Sequence, residues 1–455
     1  MPWEYTVTRL AQTVGAPTPA ADAAFSSVST DTRQLRPGDL FVALRGPNFD
    51  AEAFVPEAFR KGAAGALCRG VHPEGPCVVV DEPLRALQAF AAYHRAQLDI
   101  PVLAITGSCG KTTAKDLTVS VLGSRFLVAG TEGNLNNEIG CPISLLRMDA
   151  ATEFGVLELG ANHPGEIAGL CMLVQPDESA ITLIAPAHLE GFGSIEAVAR
   201  AKGEIVDALP SDGCFYVNTD DTRCMEIAGR FPGEKVRFGG SGDVVLRSCG
   251  FAPSGEMALE IEPVGRLRLP LAVRAHAVNV LLAVAVGLRH GIDEFEGPLR
   301  EACARMAHFR VVRMGPLEIL DDSYNANPAS MAAALQALAD RPSAGARFAA
   351  LGEMLELGGA ARELHGEAGA RAAAARVAHL YARGPHAPDM TGAARAAGVP
   401  DAAVIDEHRA MAEAIAAQAR PGDVLLVKGS RGMRMEKVIE ALRVIYAEQP
   451  GENAL

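Results

Sequence analysis

The run TGSCGKTT, from Thr106 to Thr113, constrains this chain more than any other stretch. It follows the apolar segment Val102–Ile105 and opens a helical pattern, so strand, glycine-rich turn and helix come in the order of a phosphate-binding loop. Gly107 and Gly110 let backbone N–H groups turn inward around phosphate oxygens. The helix N-terminus adds a favourable dipole, Lys111 can reach the β/γ-phosphates, and the Thr112 hydroxyl is placed for Mg²⁺. In the longer G-x-x-x-x-G-K-[ST] pattern the first glycine falls on Ile105, so this loop is a shortened variant. The alternative is a glycine-rich turn that merely caps a helix and leaves Lys111 solvated. Strand, glycines, lysine and paired threonines coincide, which favours an ATP site formed by Gly107, Ser108, Cys109, Gly110, Lys111, Thr112 and Thr113.

A phosphate loop of this kind needs a parallel sheet around it. Apolar runs of strand length alternate with helical patterns from Pro101 to about Val312: Val102–Thr106, Phe154–Leu159, Ser179–Ala185 and Cys214–Asn218. Continuous apolar strands between helices imply a parallel sheet covered on both faces. A smaller rhythm follows in Leu317–Leu320, Phe348–Leu351, Val377–Ala382, Ala403–Ile405 and Val424–Val427, with Ala-rich helices over 361–376 and 410–420. Ahead of the loop lie Asp39–Leu44, Cys77–Val80 and two Ala-rich helical stretches, closed by a linker at Gln97–Pro101. The 455 residues therefore read as an α/β chain of three domains. These are an N-terminal domain (1–98), a central domain with a P-loop parallel sheet (99–312) and a C-terminal Rossmann-like domain (313–455).

Composition narrows the partners. A formal net charge of −13 argues against a nucleic-acid platform, which needs clustered Lys and Arg. Nine scattered cysteines without a C-x-x-C pair fit reduced thiols in a cytoplasm. Met1 to Leu10 carries Glu4 and no apolar core, unlike a secretory signal. The most apolar stretch, Ala275–Leu288, is interrupted by His276 and Asn279 and is too short to span a bilayer. A cytoplasmic protein without a membrane or nucleic-acid partner is expected.

In open α/β sheets ligands bind beyond the carboxyl ends of the strands, and several polar residues fall there. Glu158 ends the apolar strand Phe154–Leu159, His188 follows Ile181–Ala185 by three residues, and Asn137 lies in the loop GNLNNEIG over 133–140. Mg²⁺ bound to ATP wants oxygen ligands, so Glu158 with Thr112 makes a sensible shell. Each has a plainer reading. Glu158 can be a structural partner of a lysine, His188 a hydrogen-bonded loop residue, and Lys202 a solvated helix lysine. Lys428, Ser430 and Arg431, after the strand Val424–Val427, are candidates to meet an incoming substrate or the γ-phosphate, the plain alternative being a solvated loop.

Taken together, the motifs resemble the Mur ligases of peptidoglycan synthesis. Besides TGSCGKTT the set is STDTR (29–33), NLNNEIGCP (134–142), Glu158-Leu-Gly, AHLEGFGS (187–194), AKGE (201–204), His276 with Asn279, Arg310, DSYNANP (322–328) and KGSRG (428–432). The double-Asn loop, the Tyr-Asn-Ala-Asn-Pro motif and the C-terminal Lys-Gly-Ser-Arg favour the member of the family that adds D-Ala-D-Ala to UDP-N-acetylmuramoyl-tripeptide. The departures are Asn48-Phe-Asp, where relatives resemble Asp-Gly-His, and Glu353, where Asp is common.

The resemblance implies roles position by position. Lys111 would bind the ATP phosphates. Thr112 and Glu158 would hold one Mg²⁺, His188 would help hold a second, and Lys202 would be carbamylated to serve as a carboxylate ligand. Asn137 and Asn279 would contact phosphate or nucleotide, Arg310 would contact ATP from the domain junction, Asp322 the ribose, and Asn325 or Asn327 the adenine side. Ser29, Thr30, Asp31, Arg33 and Asn48 would help bind the UDP-sugar, and Lys428, Ser430 and Arg431 the dipeptide. The family also implies a monomer that works through an acyl phosphate. The rivals are another ATP-dependent amide ligase of the superfamily, tripeptide-forming or folylpolyglutamate-like, and a P-loop ATPase acting as a switch.

Overall fold

The computed structural model describes residues 4–252, 254–306 and 309–447; the extreme N-terminal Met1–Trp3 and the C-terminal end of the third domain lie outside them. Three sheets follow along the chain. In the first domain the strands Val28–Ser29, Leu40–Val42, Gly65–Cys68 and Cys77–Val79 form a four-stranded parallel sheet. Its core is Leu10, Phe25, Leu40, Leu67, Val78 and Phe90, packed beneath the helices Val7–Val14 and Pro83–Arg95.

The central sheet has nine strands. Val102–Thr106 lies between Phe154–Glu158 and Glu178–Ile181, all parallel, and every residue of these three strands is buried. Burial on both faces is what a continuous apolar run demands. The stretch Ala275–Leu288 is a core element: the helix Ala277–Arg289 is buried over most of its circumference and packs on the phosphate-loop helix Lys111–Leu122.

Three expectations need correction. The sheet is not wholly parallel, because Val244–Phe251, Met257–Glu262 and Gly265–Leu269 extend it as an antiparallel ribbon. Met257, Leu259 and Ile261 point inward between more exposed neighbours, a period-two pattern that suits a half-buried edge. The strand expected over Ser179–Ala185 ends at Ile181. Thr182–Ala185 leaves the ladder to wrap the phosphate loop, where Ser108 N donates to Leu183 O and Ile184 N to Asp221. Finally, the boundary at 312/313 cuts through Arg310–Met314, which pairs antiparallel with Leu317–Asp322. This pairing puts Arg310–Val312 in the third domain.

The third sheet runs Arg310–Met314, Leu317–Asp322, Asp423–Lys428, Arg347–Leu351, His379–Ala382, Asp401–Val404, parallel after its first strand. Helices Ala361–Ala374 and His408–Gln418 lie where the Ala-rich segments were expected. Among the described residues no helix is long and apolar enough to cross a membrane.

Arg95 joins the first two domains. Its buried guanidinium donates to the carbonyls of Val174, Leu98 and Gln175 and to Asp177, whose carboxylate also accepts from Val102 N at the start of the central strand. Removing it leaves several buried acceptors unpaired. Arg95→Ala is expected to cost about 3 kcal/mol, read as an earlier urea midpoint for the transition of the first two domains.

Candidate functional site: a phosphate loop between two domains

The loop is held open by its own side chains. Ser108 Oγ donates to Ala185 O and accepts from Ala185 N, Thr182 Oγ1 donates to Cys109 O at 2.6 Å, and Thr106 Oγ1 donates to Leu159 O. Gly107 has φ 149°, and a Cβ there would lie 2.0 Å from Thr182 Oγ1. Gly110, at φ 80°, sits at the N-cap of Lys111–Leu122, and its Cβ would meet Asn279 Oδ1 at 2.8 Å. Both positions exclude a side chain, and the first-turn N–H groups remain aimed into the cavity. Lys111 Nζ donates to Gly107 O, and burial pushes the Cys109 thiol pKa up.

Glu158 is buried at the end of its strand, and two side chains converge on its carboxylate. Thr112 Oγ1 donates to Oε2 at 2.8 Å and Asn136 Nδ2 to Oε1 at 2.7 Å. Asn136, not Asn137, is thus the inward residue of the double-Asn loop. Asn137 is exposed, and its Oδ1 caps the N–H groups of Ile139 and Gly140 where the helix Gly140–Leu146 begins. The alternation comes from the loop's anchoring, because Leu135 and Ile139 pack half-buried against the core of the first domain and Ile143 enters it. The sequence carried two adjacent asparagines without a signal for which one turns inward.

His188 and Lys202 come from the segments that follow the neighbouring strand Glu178–Ile181. His188 has φ 51° and its Nδ1 pairs with Glu356 of the third domain. Burial lowers the His188 pKa against the opposing pull of Glu356. Glu190 N donates to Glu356 O in the same contact. Lys202, on the inner face of the helix Ile195–Asp207, is 2% exposed and its ammonium lies over the Phe192 ring at 5.8 Å. Burial, reinforced by Lys111, lowers its pKa to about 7 against the pull of Glu166, Glu204 and Glu158. It is not a solvated helix lysine. Glu356 was absent from the sequence expectations because its loop reaches the site only when the third domain folds over it.

Thr112 and Glu158 offer hard oxygen donors that fit Mg²⁺. An amine does not, so Lys202 fits a metal only as a carboxylate-bearing carbamate.

The third domain forms the opposite wall of a cavity of about 200 Å³. Lys428 is buried and donates to Asp322 Oδ2 at 2.5 Å and to Asn325 O at 2.9 Å. All three line the cavity with Asn279, whose Oδ1 is buried without a hydrogen-bond partner among the described residues. Asn327 is the N-cap of Pro328–Asp340 in a reciprocal capping box with Ser330, and its Nδ2 donates to Ser108 O.

Lys428 lines the cavity opposite the phosphate loop, on the side where a γ-phosphate contact was one of its two expected roles. Several residues fall elsewhere. Ser430 is a buried clamp, accepting from Leu355 N and donating to Ala326 O, with no hydroxyl left facing outward. Arg431 is exposed, paired with Glu436 and stacked over Tyr324. Arg310 is exposed on its edge strand and lines a hollow with Asp321 and Arg431 that adjoins the cavity through Asp322 and Tyr324, which line both. Ser29 ends the strand Val28–Ser29, and Thr30, Asp31, Arg33 and Asn48 lie on the loops and turns of the first domain, none of the five against the cavity. There Arg33 grips Asp31 through both carboxylate oxygens and holds its carboxyl down to about 2. Asn48 is exposed in the turn of the hairpin Arg45–Asp50.

With this geometry in hand, comparison with known proteins identifies the family. Residues 105–287 match the Mur ligase middle domain and 304–431 the Mur ligase glutamate ligase domain. The UDP-N-acetylmuramoyl-tripeptide–D-alanyl-D-alanine ligase of Escherichia coli K12 is 35% identical over 96% of this chain and 98% of its own length. The chain belongs to the Mur ligase family. The crystal structure of MurF from Acinetobacter baumannii aligns over 97% of this chain and 99% of its own, with a TM-score of 0.86 and 30% identity. A MurF ligase from Thermotoga maritima, solved in complex with ADP, covers 93% of this chain and 98% of its own, with a TM-score of 0.81 and 28% identity. A folylpolyglutamate synthase from Mycobacterium tuberculosis, at 16% identity, shares the fold alone.

Asn327 is the contact to test first. Asn327→Ala removes a helix cap, a loss of about 1 kcal/mol, together with the bond to Ser108 O. The expected result is a lower thermal midpoint and faster proteolysis between the central and third domains.

Proposed function

We propose that this protein uses ATP to join D-Ala-D-Ala to the terminal carboxylate of UDP-N-acetylmuramoyl-tripeptide through an acyl phosphate. The observation that carries the reading is the match to the E. coli ligase of that name across 96% of the chain, first domain included. The ADP found in the Thermotoga relative supports a nucleotide at the phosphate loop.

The chemistry follows from the wall residues. A carboxylate does not form an amide in water because oxide is a poor leaving group; phosphorylation by ATP supplies a better one. The approach of a carboxylate to the γ-phosphate is opposed by like charge, and Lys111 with the first-turn N–H groups of its helix lowers that barrier. Mg²⁺, when held by Thr112 and Glu158 with His188 and a carbamylated Lys202 at a second position, adds further charge neutralisation. Asn136 and Thr112 orient the Glu158 carboxylate. Asn279 and Asp322 offer acceptors to the nucleotide, and Lys428 holds Asp322 in place. The amine of the dipeptide then attacks the acyl phosphate, and phosphate leaves the tetrahedral adduct. The third domain, in contact through Glu356 and Asn327, keeps water from that intermediate. Ser29, Thr30, Asp31, Arg33 and Asn48 are assigned to the UDP-sugar, and a monomer in the cytoplasm completes the reading.

The deciding assay is phosphate release from ATP with UDP-N-acetylmuramoyl-tripeptide, with and without D-Ala-D-Ala. Release that requires both, with a product heavier by the condensed dipeptide, is expected. Hydrolysis indifferent to both would favour the ATPase switch. Lys202→Ala is expected to lose about 100-fold in turnover and to recover part of it with formate or acetate. Labelling with ¹³C-bicarbonate checks the carbamate directly, since its carbonyl signal would be present in the parent protein and missing in the variant.

A further inference from the structure

A second cluster of metal-binding side chains lies in the first domain, in residues that the phosphate-loop chemistry does not use. Glu52, Cys68 and His72 bring one ligand atom each within 4.8 Å of one another. His72 Nε2 is 3.0 Å from Glu52 Oε1. The Cys68 thiol is buried at the end of its strand and lies 3.1 Å from Gly70 O, while Cys77, which begins the neighbouring parallel strand, holds its thiol 3.9 Å from His72 O.

The backbone is folded to make this approach. Residues 69–76 cross from the end of one parallel strand to the start of the next without a helix, a connection shorter than parallel pairing usually uses. Arg69 N and Gly70 N both donate to the Glu52 carboxylate, orienting it from the turn Ala51–Phe54. A Cβ on Gly70 would lie 3.2 Å from Glu52 Oε1 and 3.9 Å from His72 Nε2, so a glycine leaves the space between the two ligands open. The nearby Arg69 guanidinium is engaged by both oxygens of Asp50. A plain Glu–His pair needs no sulfur; this one has two thiols beside it.

We propose that Glu52, Cys68 and His72, completed by Cys77, form a binding site for Zn²⁺ or a similar thiophilic divalent cation. Two sulfurs, an imidazole and one carboxylate suit Zn²⁺ and not Mg²⁺, which prefers oxygen alone. Ligand bonds of about 2.0–2.3 Å place tetrahedral neighbours about 3.5 Å apart, so Glu52, Cys68 and His72 reach that geometry by a contraction of about 1 Å, and Cys77 closes onto them from the adjoining strand. Binding displaces the thiol protons of Cys68 and Cys77 to solvent and ties the crossover 69–76 to the turn that follows the hairpin Arg45–Asp50.

The test uses the untagged full chain, reduced and stripped of metal, with ATP and Mg²⁺ saturating the phosphate loop. Co²⁺ is expected to bind once per chain and give a thiolate-to-cobalt charge-transfer band in the near ultraviolet. Stoichiometric Zn²⁺ should displace it and raise the thermal midpoint. Cys68→Ser and His72→Gln should abolish both the band and the thermal shift, and Cys77→Ser, at a less buried position, should cut the band by about half. A parent protein without the band, or a band of full intensity in Cys68→Ser or Cys77→Ser, would overturn the assignment. Circular dichroism and unchanged ATP binding in the variants separate loss of the site from loss of the fold.

Discussion

The site is organised by the buried carboxylate of Glu158. A carboxylate at the end of an apolar strand is costly unless its oxygens are satisfied, and here Thr112 and Asn136 satisfy one each. Thr112 belongs to the phosphate-loop helix. Asn136 belongs to a loop whose apolar residues Leu135 and Ile139 pack against the core of the first domain, as does Ile143 of the helix that follows. One acidic side chain therefore joins the nucleotide loop, the central sheet and the N-terminal domain.

The two domain junctions differ in kind. The first domain meets the central one through apolar packing and the contacts of Arg95 to Val174, Gln175 and Asp177, which resist separation. At the phosphate loop the third domain is held by polar contacts, Asn327 to Ser108 and His188 to Glu356. Polar, partly solvated contacts exchange readily for water, so this junction is the one suited to opening and closing around substrates. Lys428 and Asp322, paired on the third-domain wall, keep that face charge-balanced before a nucleotide arrives.

Much of the machinery was legible because local geometry dictates it. A strand, two glycines, a lysine and two threonines in that order leave the backbone few alternatives, and Gly107 and Gly110 occupy conformations that reject a Cβ. The strand-end rule located Glu158 and His188 from apolar runs alone. The antiparallel ribbon 244–269 was readable too, in the alternation of Met257, Leu259 and Ile261, but a reading tuned to continuous apolar strands passed over it. Where the chain had to choose between neighbours, as between Asn136 and Asn137, composition and spacing carried no preference.

By itself, then, the sequence determined the family, the phosphate loop, the order of three α/β domains and the kind of chemistry, since all of these rest on contiguous motifs and local periodicity. Tertiary structure alone decided that Asn136 turns to Glu158 and Asn137 to a helix start, and that Lys428 faces the phosphate loop while Ser430 clamps Leu355 and Ala326. It also brought Glu356 to His188, 168 residues away along the chain. The reason is physical: which side of a loop turns inward is settled by the apolar anchors and the hydrogen bonds that distant segments supply, and those exist only once the domains have packed.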